Sequence, residues 1–373
     1  MRERHLTKRI ASQFPRSRAD VAAKSKASMH SALLRSSSRF VRTSLFGLVS
    51  LLLLGTWVYS RKAQSAEAII SRRSLNELAK QVPWSHGPIL VLLESQIVSE
   101  ETEELEQIYL RAIDSLEKVL PGTEGSSGRV SALKQFRAEM AGFVTAHPDS
   151  AYAPGVALRV AQMARTRLAY SESIEFAQRS YQSTRLLRNS TAQTLAANAA
   201  AELAQLLVNT GRHDELVALE QDVKARGLPH LGPVWTHAIQ RRMLLAATPE
   251  DAYKCGLYCA ILLAQDVQPG EGDLDAIRET PTTPAGLSAT EVTRIARQHG
   301  VWLKPLRAPD FNRLPVPCIV HLNSDHFVYV KARFGDVYHV VDSASDLGQV
   351  MVTPEELAAE ATGIIMAADG AVV

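Results

Sequence analysis

The sequence predicts an α+β domain in the C-terminal third of the chain, preceded by an all-helical region and by one transmembrane helix. Three observations lead to this prediction. Residues 44–60 carry no charge, residues 67–247 repeat apolar side chains at helical spacing, and the chain after Pro249 changes to helical patterns followed by strand-like ones. Helices and strands that occupy successive parts of a sequence are typical of the α+β class.

The charge of the chain is divided unevenly. Its 373 residues carry 41 Lys and Arg against 39 Asp and Glu, a formal net charge of +2. Residues 1–43 hold eleven of the basic residues but only Glu3 and Asp20 among the acids, so this arm has a charge of +9 and the remainder −7. A mildly acidic body offers no electrostatic footprint for nucleic acid, which we do not expect as a partner.

The uncharged segment 44–60 follows this basic arm. With 17 residues it is at the short end for a membrane span, and Trp57 and Tyr59 lie where interfacial aromatic residues are common. The positive-inside rule then predicts an inner-membrane signal-anchor, with residues 1–43 in the cytoplasm and the body on the exported, periplasmic side. A signal peptide cleaved near residues 63–66 is the alternative.

Residues 67–247 are predicted to form successive helices. Two lie before Leu120, a loop follows at 121–128, and the clearest later patterns cover 155–167, 171–186, 191–209 and 213–226. The run at Ala169 resembles the run at Gly211, about 42 residues later. Such pairs resemble tetratricopeptide-type helical hairpins, whose units bury their apolar faces only against neighbours. A groove for a peptide or protein partner is therefore expected, with an all-helical spacer as the alternative.

Residues 248–367 are predicted to form the α+β domain. Helices are expected at 256–265, at 289–299 behind a capping box of Ser288 and Glu291, and at 354–362, with a loop at 267–286. Strands are expected at 301–306, 317–322, 327–332, 337–341 and 349–352. Gly335-Asp336 is a hairpin signal between two of these strands.

The three cysteines, Cys255, Cys259 and Cys318, do not form a disulfide framework, because an odd number leaves one thiol over. The first two have no further ligand residues at metal spacing, so a zinc site is not expected. Cys255 lies at the predicted start of a helix, where unpaired N–H groups and the helix dipole stabilise a thiolate. The alternative is a buried structural cysteine, which is the role expected for Cys259.

Two later residues complete a candidate catalytic set. His326 begins a predicted strand directly after a turn, and Asp342 ends the next strand. Antiparallel neighbours can bring these ends together, and an imidazole held by a carboxylate can take the proton of a thiol. Cysteine on a helix, histidine on a strand and an acid one strand later is the papain-like order. His321 is expected to face the side of the sheet opposite to this candidate site.

Several motifs occur in a fixed order. They are Cys255-Gly256, the helix that Ser288 opens, Pro315–Leu322, His326–Val328, Val341-Asp342 and Thr353–Glu356. Together they resemble the bacteriocin-processing, double-glycine leader peptidases. The resemblance is stronger to the related cysteine peptidase domains of YD-repeat proteins, which share the run Pro-x-x-Ala-Tyr-x-Cys-Gly found at Pro249–Gly256.

The resemblance implies a papain-like fold and peptide-bond hydrolysis through an acyl-thioester, without a cofactor or metal. It implies Cys255 as nucleophile, His326 as general base and acid, and Asp342 as the residue that orients His326. Family members carry an oxyanion-binding glutamine six residues before the cysteine, where this chain has Pro249. Backbone N–H groups at the helix start, including that of Cys255, are then expected to supply the oxyanion hole.

Two functions are consistent with these patterns. The first is a membrane-anchored, exported cysteine peptidase whose helical repeats recruit the substrate or a partner. The second is a catalytically degenerate peptide-binding or scaffold protein that uses the same groove. The Cys255, His326 and Asp342 set favours the first and Pro249 favours the second. An acyl transferase or amidase with the same chemistry is a further alternative.

Overall fold

The structure is a computed structural model that describes residues 75–82, 99–119, 127–251, 253–283, 286–308, 310–342 and 348–368. The predicted basic arm (1–43) and the predicted transmembrane helix (44–60) lie outside these residues. Among the residues that are described, no helix combines the length and the apolar character needed to cross a membrane.

The described residues up to Ala247 are helices joined by turns. They are α1 Leu75–Ala79, α2 Ser99–Glu117, α3 Ser127–Ala146, α4 Ala153–Arg165, α5 Tyr170–Thr184, α6 Ser190–Asn209, α7 His213–Arg226 and α8 Gly232–Ala247. We call α1–α8 the helical array. The predicted helices at 155–226 are confirmed, since α4–α7 match them within two residues. Ser127 and Gly128 belong to α3, so the predicted loop at 121–128 is too long.

The α4–α5 and α6–α7 hairpins turn in the same way. Leu168 and Gly211 are both left-handed, with φ of 60° and 74°. The next residues, Ala169 and Arg212, precede α5 and α7 with φ/ψ of −80°/65° and −81°/65°. The N–H group of each donates to the carbonyl five residues earlier. The backbone therefore repeats, and the tetratricopeptide-like assignment of this repeat stays a prediction.

Helix α6 lies at the centre of the array and contacts α4, α5, α7 and α8. Its small side chains allow this close packing, since Ala196, Ala199, Ala200 and Ala204 are fully buried. Close helix packing around small residues leaves few voids, which stabilises the array as one core.

The C-terminal residues form helices and one six-stranded antiparallel sheet. The helices are α9 Cys255–Val267, α10 Leu274–Glu279, α11 Ala289–Gln298 and α12 Pro354–Glu360. The strands are β1 Leu303–Arg307, β2 Cys318–Leu322, β3 Phe327–Phe334, β4 Val337–Val341, β5 Gln349–Val352 and β6 Ala361–Ala368, in the order β1-β6-β2-β3-β4-β5. The predicted α+β class is confirmed, as is the capping box of Ser288 and Glu291.

Two elements differ from the prediction. The expected loop at 267–286 contains α10, which the side chain of Asp273 caps by accepting from the N–H of Ala276 at 3.0 Å. The last predicted helix ends at Glu360, and β6 follows it directly into the sheet between β1 and β2. The second half of β6 lacks polar alternation, because Ile365 and Ala367 enter the core shared with the array while Met366 enters the core of α9 and α11.

The two faces of the sheet enter different cores. Ile319, Phe327 and Tyr329 pack with α9 and α11. Val320 and Val328, which point the other way, belong to a core that is continuous with the helical array. The sheet is therefore held between its own helices and the array, and this arrangement places the array beside the ends of β3 and β4.

Candidate active site

Cys255 is the first residue of α9. The following Gly256 is required there, because a Cβ atom would lie 2.6 Å from Val292 Cγ2 and 3.1 Å from Phe327 Cδ2. Further along the same helix, the thiol of Cys259 donates to the carbonyl of Phe327 at 3.5 Å. These contacts seat the start of α9 against β3, so that the thiol of Cys255 lies at the end of the sheet.

His326 and Asp342 reach the same end of the sheet from neighbouring strands. His326 directly precedes β3 in a turn where Asp325 is left-handed (φ 56°) and the N–H of Leu322 donates to the His326 carbonyl at 2.8 Å. Asp342 directly follows β4, and its N–H donates to the carbonyl of Gly348 at 3.0 Å. Antiparallel pairing of β3 and β4 brings the two side chains together.

The three predicted residues come together at this end of the sheet. Nε2 of His326 lies 2.8 Å from Oδ1 of Asp342, and the two residues are only 3% and 1% exposed. This leaves Nδ1 as the ring nitrogen available to the Cys255 thiol, which lies close enough to the His326 side chain for each group to shift the pKa of the other. Their catalytic roles stay a prediction, which is developed below.

The electrostatics favour a charged thiolate–imidazolium pair. Burial raises the pKa of Cys255, but the charge and hydrogen bond of His326, with backbone hydrogen bonds from Phe327 and Gly256, outweigh this effect and lower it. Burial likewise lowers the pKa of His326, but Asp342 and Cys255 raise it well above its ordinary value. Mutual stabilisation of this kind is what activates a cysteine nucleophile near neutral pH.

The remaining candidate residues have different environments. Cys259 is fully buried, and burial raises its pKa well above the ordinary value, as expected for a core thiol. The prediction for His321 is wrong. Because Val320 and Leu322 point into the core shared with the array, His321 points to the other face and lines the same cleft as Cys255. Its Nδ1 lies 3.1 Å from Oγ1 of Thr362.

A cleft of about 770 Å³ opens above the thiol. The C-terminal domain contributes Cys255, Tyr258 and His326 to its walls, and the array contributes Asn209, Gly211 and Arg241. Arg241 donates to Oδ1 of Asn209 at 2.8 Å, which fixes these two polar side chains in the wall of the cleft. A cleft of this size is large enough for a peptide segment to approach Cys255.

Sequence reasoning missed two contacts that the array makes with the site. The hydroxyl of Tyr170, the first residue of α5, donates to Oδ2 of Asp342, 172 residues later. The hydroxyl of Tyr253, two residues before Cys255, is hydrogen-bonded to Nε2 of His213 at the start of α7. Tyr253 belongs to the Pro249–Gly256 motif, but no local pattern predicts either contact, because both depend on how the array packs on the sheet.

These features are those of a cysteine peptidase-like domain. The family model of the peptidase C39 family matches residues 247–371, which confirms the family predicted from the motifs. The part of the chain from residue 247 to residue 371 is thus a peptidase C39 domain.

Other comparisons cover the same part of the chain. No curated protein matches the sequence. Among solved structures, one similar chain is a double glycine motif protease from an AMS/PCAT transporter in complex with the leader peptide, with 27% identity, a TM-score of 0.27, and coverage of 31% of this chain and 84% of that one. Another is the N-terminal peptidase C39-like domain of the toxin secretion ATP-binding protein from Vibrio parahaemolyticus, with 17% identity, a TM-score of 0.25, and coverage of 30% and 93%.

Proposed function

We propose that this protein is a cysteine peptidase that hydrolyses peptide bonds with Cys255, His326 and Asp342 as its catalytic triad. The observation that carries the proposal is that Cys255 and His326 line one open cleft and that His326 is hydrogen-bonded to Asp342 at 2.8 Å. The match to the peptidase C39 family supports a peptide substrate.

The proposed reaction begins with the thiolate of Cys255, which attacks the carbonyl carbon of the peptide bond. The tetrahedral intermediate collapses as the imidazolium of His326 gives its proton to the leaving amine, and an acyl-thioester remains on Cys255. His326 then takes a proton from water, and the resulting hydroxide attacks the thioester. Release of the acid restores the thiolate–imidazolium pair, while Asp342 holds the ring of His326 in one orientation throughout.

Pro249 limits the expected rate of this reaction. It lies in the short 3₁₀ turn Pro249–Asp251 and has no side-chain donor for the oxyanion. The first N–H groups of α9, including that of Cys255, have no partner within the helix and are suitably placed donors. Loss of one oxyanion donor costs about 10²–10³ in rate, so we expect slow turnover.

We further propose that residues 44–60 anchor the protein in the inner membrane, with residues 1–43 in the cytoplasm and the peptidase on the exported side. The uneven charge of the sequence supports this orientation. We propose that the array helps to recruit the substrate or a partner protein. Support comes from the array residues Asn209, Gly211 and Arg241, which line the cleft.

The reactivity of Cys255 tests the proposal. We would label the full-length chain with iodoacetamide from pH 4 to pH 10 and follow the Cys255 peptide by mass spectrometry. A labelling pKa well below the free-thiol value of about 8.5, which rises in His326→Ala, is expected for the ion pair. Cys318 is an internal control, since burial raises the pKa of its thiol to about 12.

The same experiment decides between the peptidase and the non-catalytic scaffold that Pro249 favours. Labelling at about 8.5 or above, unchanged by His326→Ala, would mean that Cys255 is not activated. The domain would then be a peptide-binding module.

A further inference from the structure

The helical array contributes a buried phenol to the site. Tyr170 is 1% exposed and its hydroxyl donates to Oδ2 of Asp342. The other carboxylate oxygen, Oδ1, lies 2.8 Å from Nε2 of His326. The carboxylate is therefore held at both oxygens, by the array on one side and by the imidazole on the other.

The ring of Tyr170 also contacts the imidazole. The centroids of the Tyr170 and His326 rings lie 6.0 Å apart with an interplanar angle of 78°. This edge-to-face arrangement is favourable for aromatic rings and restricts rotation of the imidazole. Tyr170, His326 and Asp342 are all almost fully buried, and a hydrogen bond away from solvent is electrostatically stronger.

Polar contacts fix Tyr170 in this place. The next residue, Ser171, donates to Oε1 of Glu360 from its backbone N–H at 3.0 Å and from its hydroxyl at 2.9 Å. The carbonyl of Glu360 accepts from the N–H of Asn323 at 2.7 Å, in the turn that carries His326. The start of α5 and the catalytic turn are thus joined through one residue of α12.

We propose that Tyr170 is a positioning residue of the Cys255–His326–Asp342 site, and that the helical array is a structural part of that site. The phenol fixes the plane of the Asp342 carboxylate, so that Oδ1 faces Nε2 of His326 and Nδ1 faces Cys255. The hydroxyl also draws part of the carboxylate charge away from the imidazole. This inference rests on the proposed function for its catalytic meaning, but the contact itself can be tested without a substrate.

The test is Tyr170→Phe in the full-length chain, which removes the hydroxyl and keeps the ring. We would label the histidines with ¹³C, assign the His326 signal by its loss in His326→Ala, and titrate it by NMR. Because Asp342 regains the charge that it shared with the hydroxyl, we expect the pKa of His326 to rise by about one unit. The matched control is Tyr181→Phe, since Tyr181 lies on the same helix and donates to Asp222 at 2.8 Å.

Each outcome decides the proposal. A fall in the pKa of His326 would mean that the released carboxylate turns away from the imidazole, which also supports a positioning role. A titration equal to that of the wild type and of Tyr181→Phe would overturn it, even if stability changes. If Tyr170→Phe does not fold, 3-fluorotyrosine at position 170 replaces it. This stronger donor should lower the pKa of His326, and no shift would again overturn the proposal.

Iodoacetamide labelling of the same variants distinguishes failure of the proposed peptidase function from failure of the proposed role of Tyr170. An unreactive Cys255 together with a shifted His326 titration would refute the peptidase but keep the link between Tyr170 and His326. A reactive Cys255 with an unchanged titration in Tyr170→Phe would refute only the role of Tyr170.

Discussion

The side chain of Glu360 accepts hydrogen bonds from both the backbone N–H and the hydroxyl of Ser171, at 3.0 and 2.9 Å. Glu360 ends α12 of the peptidase domain, and Ser171 lies in the first turn of α5. The carboxyl is only 5% exposed, and burial raises its pKa to about 7. The junction between the array and the peptidase domain therefore contains a group that titrates near neutral pH.

Because of the Glu360 carboxyl, we expect the free energy of unfolding of the protein to depend on pH. The folded-state pKa of about 7 exceeds the ordinary value of 4.5, so the folded protein binds this proton more tightly than the unfolded chain. The resulting stabilisation is complete below pH 4.5 and is lost as the pH rises through 7. Glu360→Gln removes the titration, and we expect the variant to be more stable than the wild type at pH 8 by on the order of 2–3 kcal/mol.

Urea unfolding between pH 4 and pH 8 measures this difference. The gain should disappear toward pH 4, where Glu360 is protonated in both states. Glu355→Gln is the control, because the pKa of that exposed carboxyl lies below its ordinary value and its neutralisation gives no gain at pH 8. A Glu360→Gln protein that is no more stable than the wild type at pH 8 would contradict the raised pKa.

Glu356 forms a second polar contact at this junction. Its side chain is 1% exposed and pairs with Arg137 at 3.5 Å and with Arg167. It also accepts from the N–H of Thr353 at 3.0 Å as part of the capping box of α12. Glu356→Ala removes the carboxylate that pairs with Arg167 and leaves Arg137 with Glu172, at 3.4 Å, as its carboxylate partner. Because a buried charge loses its partner, we expect a loss of about 3–5 kcal/mol in the free energy of unfolding.

The neighbouring Glu355 is the matched control for this prediction. Its side chain is 63% exposed and lies 3.4 Å from Lys134. Exposed ion pairs contribute little, so Glu355→Ala should change the free energy of unfolding by less than about 1 kcal/mol. Equal effects of the two substitutions in a urea titration would show that Glu356 does not hold the array to α12.

Because Gly256 lies in the close contact at the start of α9, we expect the packing of this helix to control the labelling of Cys255. An alanine Cβ would clash with Val292 of α11 at 2.6 Å and would lie 3.1 Å from Phe327 of β3, so it would push the start of α9 away from both elements. We expect Gly256→Ala to cost about 1–3 kcal/mol and to raise the labelling pKa of Cys255, because the thiol moves away from His326. Thermal unfolding and iodoacetamide labelling measure the two effects.

Gly142 in α3 is a control, because its surroundings have room for a side chain. A Cβ atom there meets nothing within 4 Å, so Gly142→Ala should stabilise the helix by about 0.5–1 kcal/mol and leave the labelling of Cys255 unchanged. If Gly256→Ala behaved like Gly142→Ala, the close contact between α9 and β3 would not control the site.

The comparison of sequence and structure shows which parts of this site local patterns can predict. Cys255, His326 and Asp342 each lie at the end of a helix or strand whose type is set by local periodicity, so their approach could be predicted from the order of those elements. Strand β6 could not be predicted in this way, because Ile365, Met366 and Ala367 are buried on alternate faces of the sheet and form an apolar run without alternation.

The contacts of Tyr170 and Glu356 could not be predicted for a different reason. Their partners lie in the other region of the chain, 172 residues away for Tyr170 and 189 for Arg167 with Glu356. Contacts at such separations depend on how two packed regions meet, and neither propensity nor hydrophobic period carries that information. The sequence alone predicts an array that recruits a partner, and the structure adds its contact with the candidate residue Asp342.

Gly211 tests the contact between the array and the segment that leads to Cys255. It lies in the α6–α7 turn with φ of 74°, and a Cβ atom would lie 3.2 Å from Cε1 of Tyr253. Tyr253 is itself left-handed, with φ of 55°, so it has little freedom to move aside. Gly211→Ala should therefore destabilise the protein and displace Tyr253, with a change in the labelling rate of Cys255.

Substitution of Gly227 separates the loss of stability from the change in Cys255 labelling. It has a similar φ of 61°, but a Cβ atom there meets nothing within 4 Å. Gly227→Ala should carry the backbone cost of about 1 kcal/mol and leave Cys255 labelling as in the wild type. If both variants lose similar stability and only Gly211→Ala alters the labelling rate, the array acts on Cys255 through Tyr253. Unchanged labelling in Gly211→Ala would mean that this contact supports the fold alone.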